Sequence, residues 1–239
     1  MKIVLRIRRF DPEADREPRD KDYPVEVEPT DRILDALMEV KSLQDGSLSF
    51  RKSCAHGVCG SDAMIIGGKE RLACKTLVRD VANAENAVVT IEPLKHMAVQ
   101  RDLMVDQAAF FENYRAVKPF LIAEEHAGGK ERLQSPEQRD AFDDSTNCIL
   151  CASCYSSCPI FEKNDGYVGP AAIVQAARFL FDSRDSGLPD RLGALDAPDG
   201  VWACENHFNC TRVCPRGIKV TKNINATKRA ITRRKEGKT

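Results

Sequence analysis

No stretch of the 239-residue chain approaches the roughly 18 apolar residues that a membrane-crossing helix needs. The opening residues Met1-Lys2-Ile3-Val4-Leu5-Arg6 hold an apolar run of only three, too short for the core of a secretory signal. Arg8-Arg9-Phe10 has the look of a twin-arginine signal, but Asp11-Pro12-Glu13 stands where apolar residues should follow. The expectation is a soluble chain in a reducing cytosol. Net charge is missing too, since 36 Lys and Arg balance 36 Asp and Glu, which argues against a dedicated nucleic-acid binder. The balance is unevenly laid out. Residues 216–239 carry nine basic side chains and one acid, a net of +8, so residues 1–215 carry −8, with 27 basic and 35 acidic side chains. There is no low-complexity segment, and the single Trp is Trp202. A compact chain of this length buries about 70% of its extended surface and needs no covalent staples. Its ten cysteines therefore call for a chemical reason.

The first hundred residues alternate like strands around one helix. Ile3, Leu5 and Ile7 share one face, and Val25 and Val27 mark a second strand after a Pro- and Asp-rich turn region. Ile33, Leu34, Leu37 and Met38 then repeat at helical spacing, with Thr30 or Asp31 placed to cap the start. Gly67-Gly68 signals a hairpin between Ala63–Ile66 and Leu72–Cys74, and Val88, Val89, Ile91 and Leu94 suggest a closing strand. This order resembles the β-grasp of plant-type ferredoxins. From about Asp102 the pattern is helical. Leu103, Phe110, Phe111, Tyr114 and Val117 fit an amphipathic helix that Pro119 stops. Ser135-Pro136-Glu137-Gln138 spells a capping box with Pro at the first helical position, and Gly169-Pro170 opens a helix running to Phe181. The polar stretch from Glu124 to Gln134, which holds His126, reads as a surface connection. The expected fold class is α+β: a β-grasp plant-type ferredoxin domain over residues 1–100, then an all-helical, bacterial-ferredoxin-like domain over 101–239.

The cysteines fall into three groups. The first is Cys54-Ala55-His56-Gly57-Val58-Cys59-Gly60-Ser61-Asp62, followed by Cys74. The plant-type [2Fe–2S] pattern is C-x4-C-x2-C and a distant fourth Cys. Three of those four positions match, and Asp62 occupies the third. A carboxylate oxygen can bind ferric iron, so Asp62 is expected to ligate; the alternative is a solvent-facing Asp. Gly57 and Gly60 allow the loop to curl with its amides turned towards the sulfurs. His56 is expected to be an exposed spacer.

The second group, Cys148-x2-Cys151-x2-Cys154-x3-Cys158-Pro159, is the bacterial cluster run and is highly specific. The third, Cys204-x2-His207-x2-Cys210-x3-Cys214-Pro215, repeats it with His207 in place of the middle Cys. Two such runs imply a crossed arrangement, in which the fourth Cys of each run serves the other cluster. Cys148, Cys151, Cys154 and Cys214 would then hold [4Fe–4S], and Cys158, Cys204 and Cys210 would hold [3Fe–4S]. No thiol is left over. His207 either completes a cubane or packs beside the open corner, and the second is the expectation. Zinc modules use paired C-x2-C knuckles rather than a repeated fourfold run ending in Cys-Pro, and disulfides do not suit a reducing compartment.

Together these groups resemble the iron–sulfur subunit of succinate dehydrogenase and fumarate reductase, the complex II family. The resemblance covers nearly the whole chain and extends to Arg101-Asp102-Leu103, Ser135-Pro136-Glu137-Gln138-Arg139, Gly169-Pro170-Ala171-Ala172 and Ser183-Arg184-Asp185. It implies a wire with no catalytic residue of its own. Electrons from the FAD of a flavoprotein subunit would enter at [2Fe–2S], cross [4Fe–4S] and leave [3Fe–4S] for quinone at a membrane anchor, with or without haem. It also implies a peripheral place on the cytoplasmic face of a bacterial inner membrane, with Pro159 and His207 near the quinone. The family's ubiquinone-reducing members usually carry Trp soon after the Cys-Pro equivalent to Cys158-Pro159, whereas Ile160-Phe161-Glu162-Lys163-Asn164 follows here. That departure leans towards menaquinone or a fumarate-reductase-like site. The competing function class is a soluble multi-cluster ferredoxin-like carrier.

Overall fold

The structure, a computed structural model, describes residues 1–123 and 131–237. His126 and most of the polar connection around it lie outside the described residues. By compactness the chain divides into two units, Met1–Gln107 with Ile149–Ser156, and Ala108–Cys148 with Ser157–Thr239. The division read from the sequence, at residue 100, is drawn elsewhere for a physical reason. The 99–105 hairpin is tied into the first unit by Asp102, and the segment around Cys151 is packed into that unit's core.

In the first unit a five-stranded sheet has the order β2-β1-β5-β3-β4. The strands are β1 (Lys2–Arg9), β2 (Arg19–Glu26), β3 (Ala63–Ile66), β4 (Lys69–Leu72) and β5 (Ala87–Glu92). Strands β1 and β5 run parallel, and every other pairing is antiparallel. The alternation in β1 has the expected consequence, since Ile3, Leu5 and Ile7 are all at most 1% exposed. Helix α1 (Ile33–Glu39) lays Ile33, Leu34, Ala36 and Leu37 into the same core and runs on into a wider turn, Val40–Gln44. Its N-cap is Arg32, not Thr30 or Asp31. The Asp31 carboxylate is instead turned back to the Glu28 amide (2.8 Å), while Asp35 accepts from the Arg32 amide. The Gly67-Gly68 hairpin joins β3 to β4 as its turn residues require. A small ribbon, β6 (Val99–Arg101) and β7 (Met104–Val105), closes the unit.

A buried polar network fastens this ribbon to β1. The Arg9 guanidinium, 8% exposed, donates to Asp102 (2.9 Å), Asp45 (2.7 Å), Ser47 (2.9 Å) and the Tyr23 hydroxyl. Asp102 also accepts from the Phe10 and Ser49 amides at 3.0 and 2.8 Å. Ser49 lies just ahead of the loop that begins at Ser53, so the network fixes the base from which that loop departs.

The second unit is helical: α2 (Ala108–Ala116), α3 (Pro136–Thr146), α5 (Pro170–Leu180), α6 (Leu188–Leu195), α7 (Asn209–Arg212) and α8 (Val220–Lys235). The short α4 (Ser153–Ser156) belongs to the first unit. Leu103, expected within α2, lies in the β6–β7 turn, where it is buried in the first unit's core. The capping box of α3 forms as read. The Ser135 hydroxyl accepts from the Gln138 amide and the Gln138 side chain accepts from the Ser135 amide. Helix α5 is buried from Pro170 through Ala177 and packs against α2, α3, α6 and α8. Arg191, fully buried, pairs with Asp185 at 2.7 Å and donates to the Phe120 carbonyl, stapling the 118–122 stretch to α6. Among the described residues no helix is long and apolar enough to cross a membrane.

Candidate metal centres

In the first unit the segment Ser53–Asp62 has no strand or helix, and Ala55, Gly57 and Gly60 take φ of 56°, 74° and 69°. Left-handed residues at this density curl the backbone so that successive amides point inward. Two of them reach a single sulfur, as the His56 and Cys59 amides each lie 3.3 Å from Cys54 Sγ. The Cys54 thiol is accordingly lowered to about 6 by amide hydrogen bonds from His56, then Cys59 and Val58. A cage of amides that stabilises a thiolate also serves cluster sulfurs, so the loop suits the group. Cys59 lies 3.1 Å from the Ser61 hydroxyl, and His56 is exposed, as a spacer should be.

Asp62 is not a surface residue. It is 2% exposed, and its Oδ2 accepts from the Cys74 amide at 2.6 Å. Its Oδ1 is buried with no hydrogen-bond partner. An orphan carboxylate oxygen is costly, and a bound ferric ion is one way to satisfy it. Cys74 is fully buried and its thiol is pushed up to about 12, chiefly by burial and then by the Asp62 carboxylate beside it. A metal would reverse that, since a coordinating thiol is deprotonated outright.

The run from Cys148 to Cys158 is divided. Cys148 and Cys158 belong to the second unit, and Cys151 and Cys154 to the first. Leu150 and Ala152, at φ 53° and 62°, bracket Cys151 with left-handed turns. Cys151 is buried against the first loop at Gly60. A Cβ on Gly60 would stand 2.6 Å from Cys151 Cβ and 3.1 Å from the Ile149 carbonyl. Two cysteine-bearing loops thus share one packed interface within the first unit. The Ser156 hydroxyl anchors the segment, accepting from the Lys95 amide and donating to Glu70, both at 2.9 Å.

In the second unit Cys158, Cys204 and Cys210 line one open cavity, together with Pro159, Ile160 and His207. Cys158 opens a helical turn with Pro159 in its first position, Cys204 follows the turn Val201–Ala203, and Cys210 sits on α7. Burial pushes the Cys158 thiol up to about 11, with the negative ends of Cys210 and Cys204 adding to it, and burial likewise raises Cys210. Two anchors hold the loops: Lys228 Nζ donates to the Cys204 carbonyl (2.8 Å), and Thr221 Oγ1 lies 3.6 Å from Cys210 Sγ. His207 stands at the cavity with its side chain 43% exposed and Nε2 3.0 Å from a Glu205 carboxylate oxygen. Cys214 follows α7 in the same unit, and its carbonyl accepts from the Gly217 amide.

Among the described residues none of the ten cysteines is joined in a disulfide. Among the described residues no three of His, Cys, Asp and Glu converge tightly enough to hold a single metal ion. A multinuclear cluster takes its ligands further apart than one ion does.

Sequence spacing missed the anchors. Lys228 and the Arg9–Asp102 pair lie far in sequence from the cysteines they support, Thr221 lies eleven residues from Cys210, and no local signal marks them. Gly60 alone was detectable, as a glycine directly after a ligand position.

Two family models match the chain: a 2Fe-2S iron-sulfur cluster binding domain over residues 4–112 and a 4Fe-4S dicluster domain over residues 144–218. The succinate dehydrogenase iron-sulfur subunit of Coxiella burnetii is 40% identical over 93% of this chain and 94% of its own length. The fumarate reductase iron-sulfur subunit of Mycobacterium tuberculosis is 38% identical over 91% of this chain and 87% of its own. Among solved structures, a chain of the Mycobacterium smegmatis Sdh1 complex in the apo form superposes with a TM-score of 0.85 at 28% identity, covering 98% of this chain and 97% of that one.

Proposed function

The chain belongs to the family of iron–sulfur subunits of succinate dehydrogenase and fumarate reductase, and from that membership we propose a ligand assignment, a direction and a set of partners. It is an electron-transfer subunit of a succinate dehydrogenase, an oxidoreductase, and a peripheral part of a membrane complex. The relative named for fumarate reduction is no more similar than the one named for succinate oxidation, so identity gives no preference to the reverse reaction.

Cys54, Cys59, Asp62 and Cys74 hold [2Fe–2S], Cys148, Cys151, Cys154 and Cys214 hold [4Fe–4S], and Cys158, Cys204 and Cys210 hold [3Fe–4S]. When bound, the clusters supply one-electron chemistry linking the FAD of a flavoprotein subunit to quinone at a membrane anchor on the cytoplasmic face. The chain's own residues position and tune. Amides of the 54–59 loop donate to sulfur, the Asp62 carboxylate replaces a thiolate, and Lys228 holds the Cys204 backbone in place. The observation that carries the wire reading is the contact at Gly60, which sets a ligand loop of one cluster against a ligand loop of the next. Three thiols and no fourth line the cavity at Cys158, which supports a trinuclear cluster there.

Beside that cavity His207 and Glu205 make a solvent-reachable pair, and Ile160 stands among the lining residues. His207 is placed near the quinone headgroup. His207→Ile should then alter the pH profile of quinone reduction, and an unchanged profile removes that role.

The test of the function is to isolate the chain from its native membranes under mild detergent. An FAD protein should accompany it, and succinate should reduce its clusters. A chain that arrives without flavin, or carries zinc in place of iron, is a free carrier or a scaffold instead.

A further inference from the structure

Helix α8 contains Lys222, Lys228, Arg229, Arg233, Arg234 and Lys235 and no acidic residue. Lys228 is engaged with the Cys204 carbonyl and Lys235 with Asp196. Lys222, Arg229 and Arg233 are exposed, and none of them has a hydrogen-bond or ion-pair partner among the described residues. At 3.6 residues per turn these three fall within about 40° of one another, in a line about 16 Å long. Val220, Ile224, Thr227 and Ile231, all buried, lie on the opposite side. The helix therefore rests on the second unit by one face and presents a straight row of unneutralised cations on the other.

We propose that this row binds the headgroups of anionic phospholipids directly, as a contact of this chain's own in addition to whatever its partner subunits provide. Between the cations the face carries Asn225, Ala226, Ala230 and Thr232, with Glu236 following the last cation, so no large side chain is there to shape-match a folded partner. Recognition by charge along a flat line suits a sheet of mobile headgroups. The charge layout adds orientation. Residues 216–239 carry +8 against −8 for residues 1–215, so the segment that holds α8 is the one an anionic surface attracts. The proposal goes beyond the electron-transfer reading and rests on α8 alone.

The test uses the full chain with its clusters in place, sedimented with vesicles of phosphatidylcholine or of phosphatidylcholine with phosphatidylglycerol. Binding should require phosphatidylglycerol and fall as salt shortens the screening length. A cation near such a surface is worth about fivefold in partitioning, so K222Q/R229Q/R233Q should bind about a hundredfold more weakly. Removing the same charge from the first unit, in K2Q/K69Q/R79Q, should change binding far less, and R229K/R233K should keep it. Unchanged cluster EPR in each variant shows that the fold survives. Equal binding to both vesicle types, or equal loss in the two triple variants, overturns the proposal. So does a K222Q/R229Q/R233Q chain that still binds vesicles but comes away from its membrane partner, because the row would then be a protein interface. Succinate reduction of the clusters enters none of these outcomes, so failure here leaves the electron-transfer reading untouched.

Discussion

Replacing Gly60 by Ala probes the contact on which the wire depends. Gly60 sits at φ 69°, where a side chain costs about 1–2 kcal/mol. Its new Cβ would meet Cys151 Cβ at 2.6 Å, Cys151 Cα at 3.0 Å and the Ile149 carbonyl at 3.1 Å. Two of these neighbours are backbone and the third is fixed to it, so relief requires the two loops to separate. Overpacking of this kind costs about 1–3 kcal/mol more. Gly68 supplies the control, because it has a similar φ of 76° but nothing within 4 Å of an added Cβ. Gly68→Ala carries only the backbone cost, and the difference between the two variants isolates the loop contact. For a chain of this size about 1 kcal/mol moves the midpoint by roughly 2–4 °C. Gly60→Ala should thus lose its visible cluster absorbance on heating about 2–12 °C below Gly68→Ala. Electron flow from succinate to quinone should also slow in Gly60→Ala and not in Gly68→Ala. Equal midpoints and equal flow in the two variants would refute the idea that the loops are held together at this point.

Asp62→Ala should lower iron content and abolish or reshape the EPR signal of the reduced [2Fe–2S] centre, whereas Asp62→Cys should retain the iron with an altered signal; an unchanged spectrum in both removes Asp62 from the ligand set. Asp45 is held well below the usual carboxylate range by hydrogen bonds from Lys21 first, then Ser47 and Tyr23. A depressed folded pKa means stability that is present above the unfolded value near 3.9 and lost as pH falls below it. Asp45→Asn should therefore cost about 2 kcal/mol at neutral pH and flatten the acid limb of the stability profile, and an unchanged acid limb contradicts the network. In the iron-stripped chain, iodoacetamide should modify Cys54, lowered to about 6, long before Cys74, pushed up to about 12. Peptide mass spectrometry that finds the two equally modified at neutral pH would refute the amide cage.

The ligand loops were legible in the sequence because cluster spacing is local: a run such as C-x2-C-x2-C-x3-C-P is set by how one stretch of chain wraps one group. The β1 strand and the α3 capping box were legible for the same reason, each being fixed by residues within a turn or two of one another. What could not be read was the support. Arg9 and Asp102 are separated by 93 residues and meet only because the sheet brings β1 beside the ribbon. Leu103 continues the helical spacing of Phe110 and Tyr114, yet tertiary packing claims it for the other unit, and α2 starts at Ala108. The α1 cap moved from Thr30 or Asp31 to Arg32 because Asp31 was already committed to the Glu28 amide. Burial of Asp62 was likewise invisible beforehand, although its position in the spacing pointed to it.

The proposed arrangement has ten cysteines and Asp62 holding three clusters of different nuclearity in series. The most direct measurement is EPR of the isolated complex, first oxidised, then reduced with succinate, paired with an iron count. The expected result is a [3Fe–4S] signal in the oxidised state, its loss and the appearance of a reduced [2Fe–2S] signal with succinate, and roughly nine irons per chain. A silent oxidised state, with a second reducible cubane and about ten irons, would contradict the assignment at Cys158, Cys204 and Cys210 and make His207 a ligand.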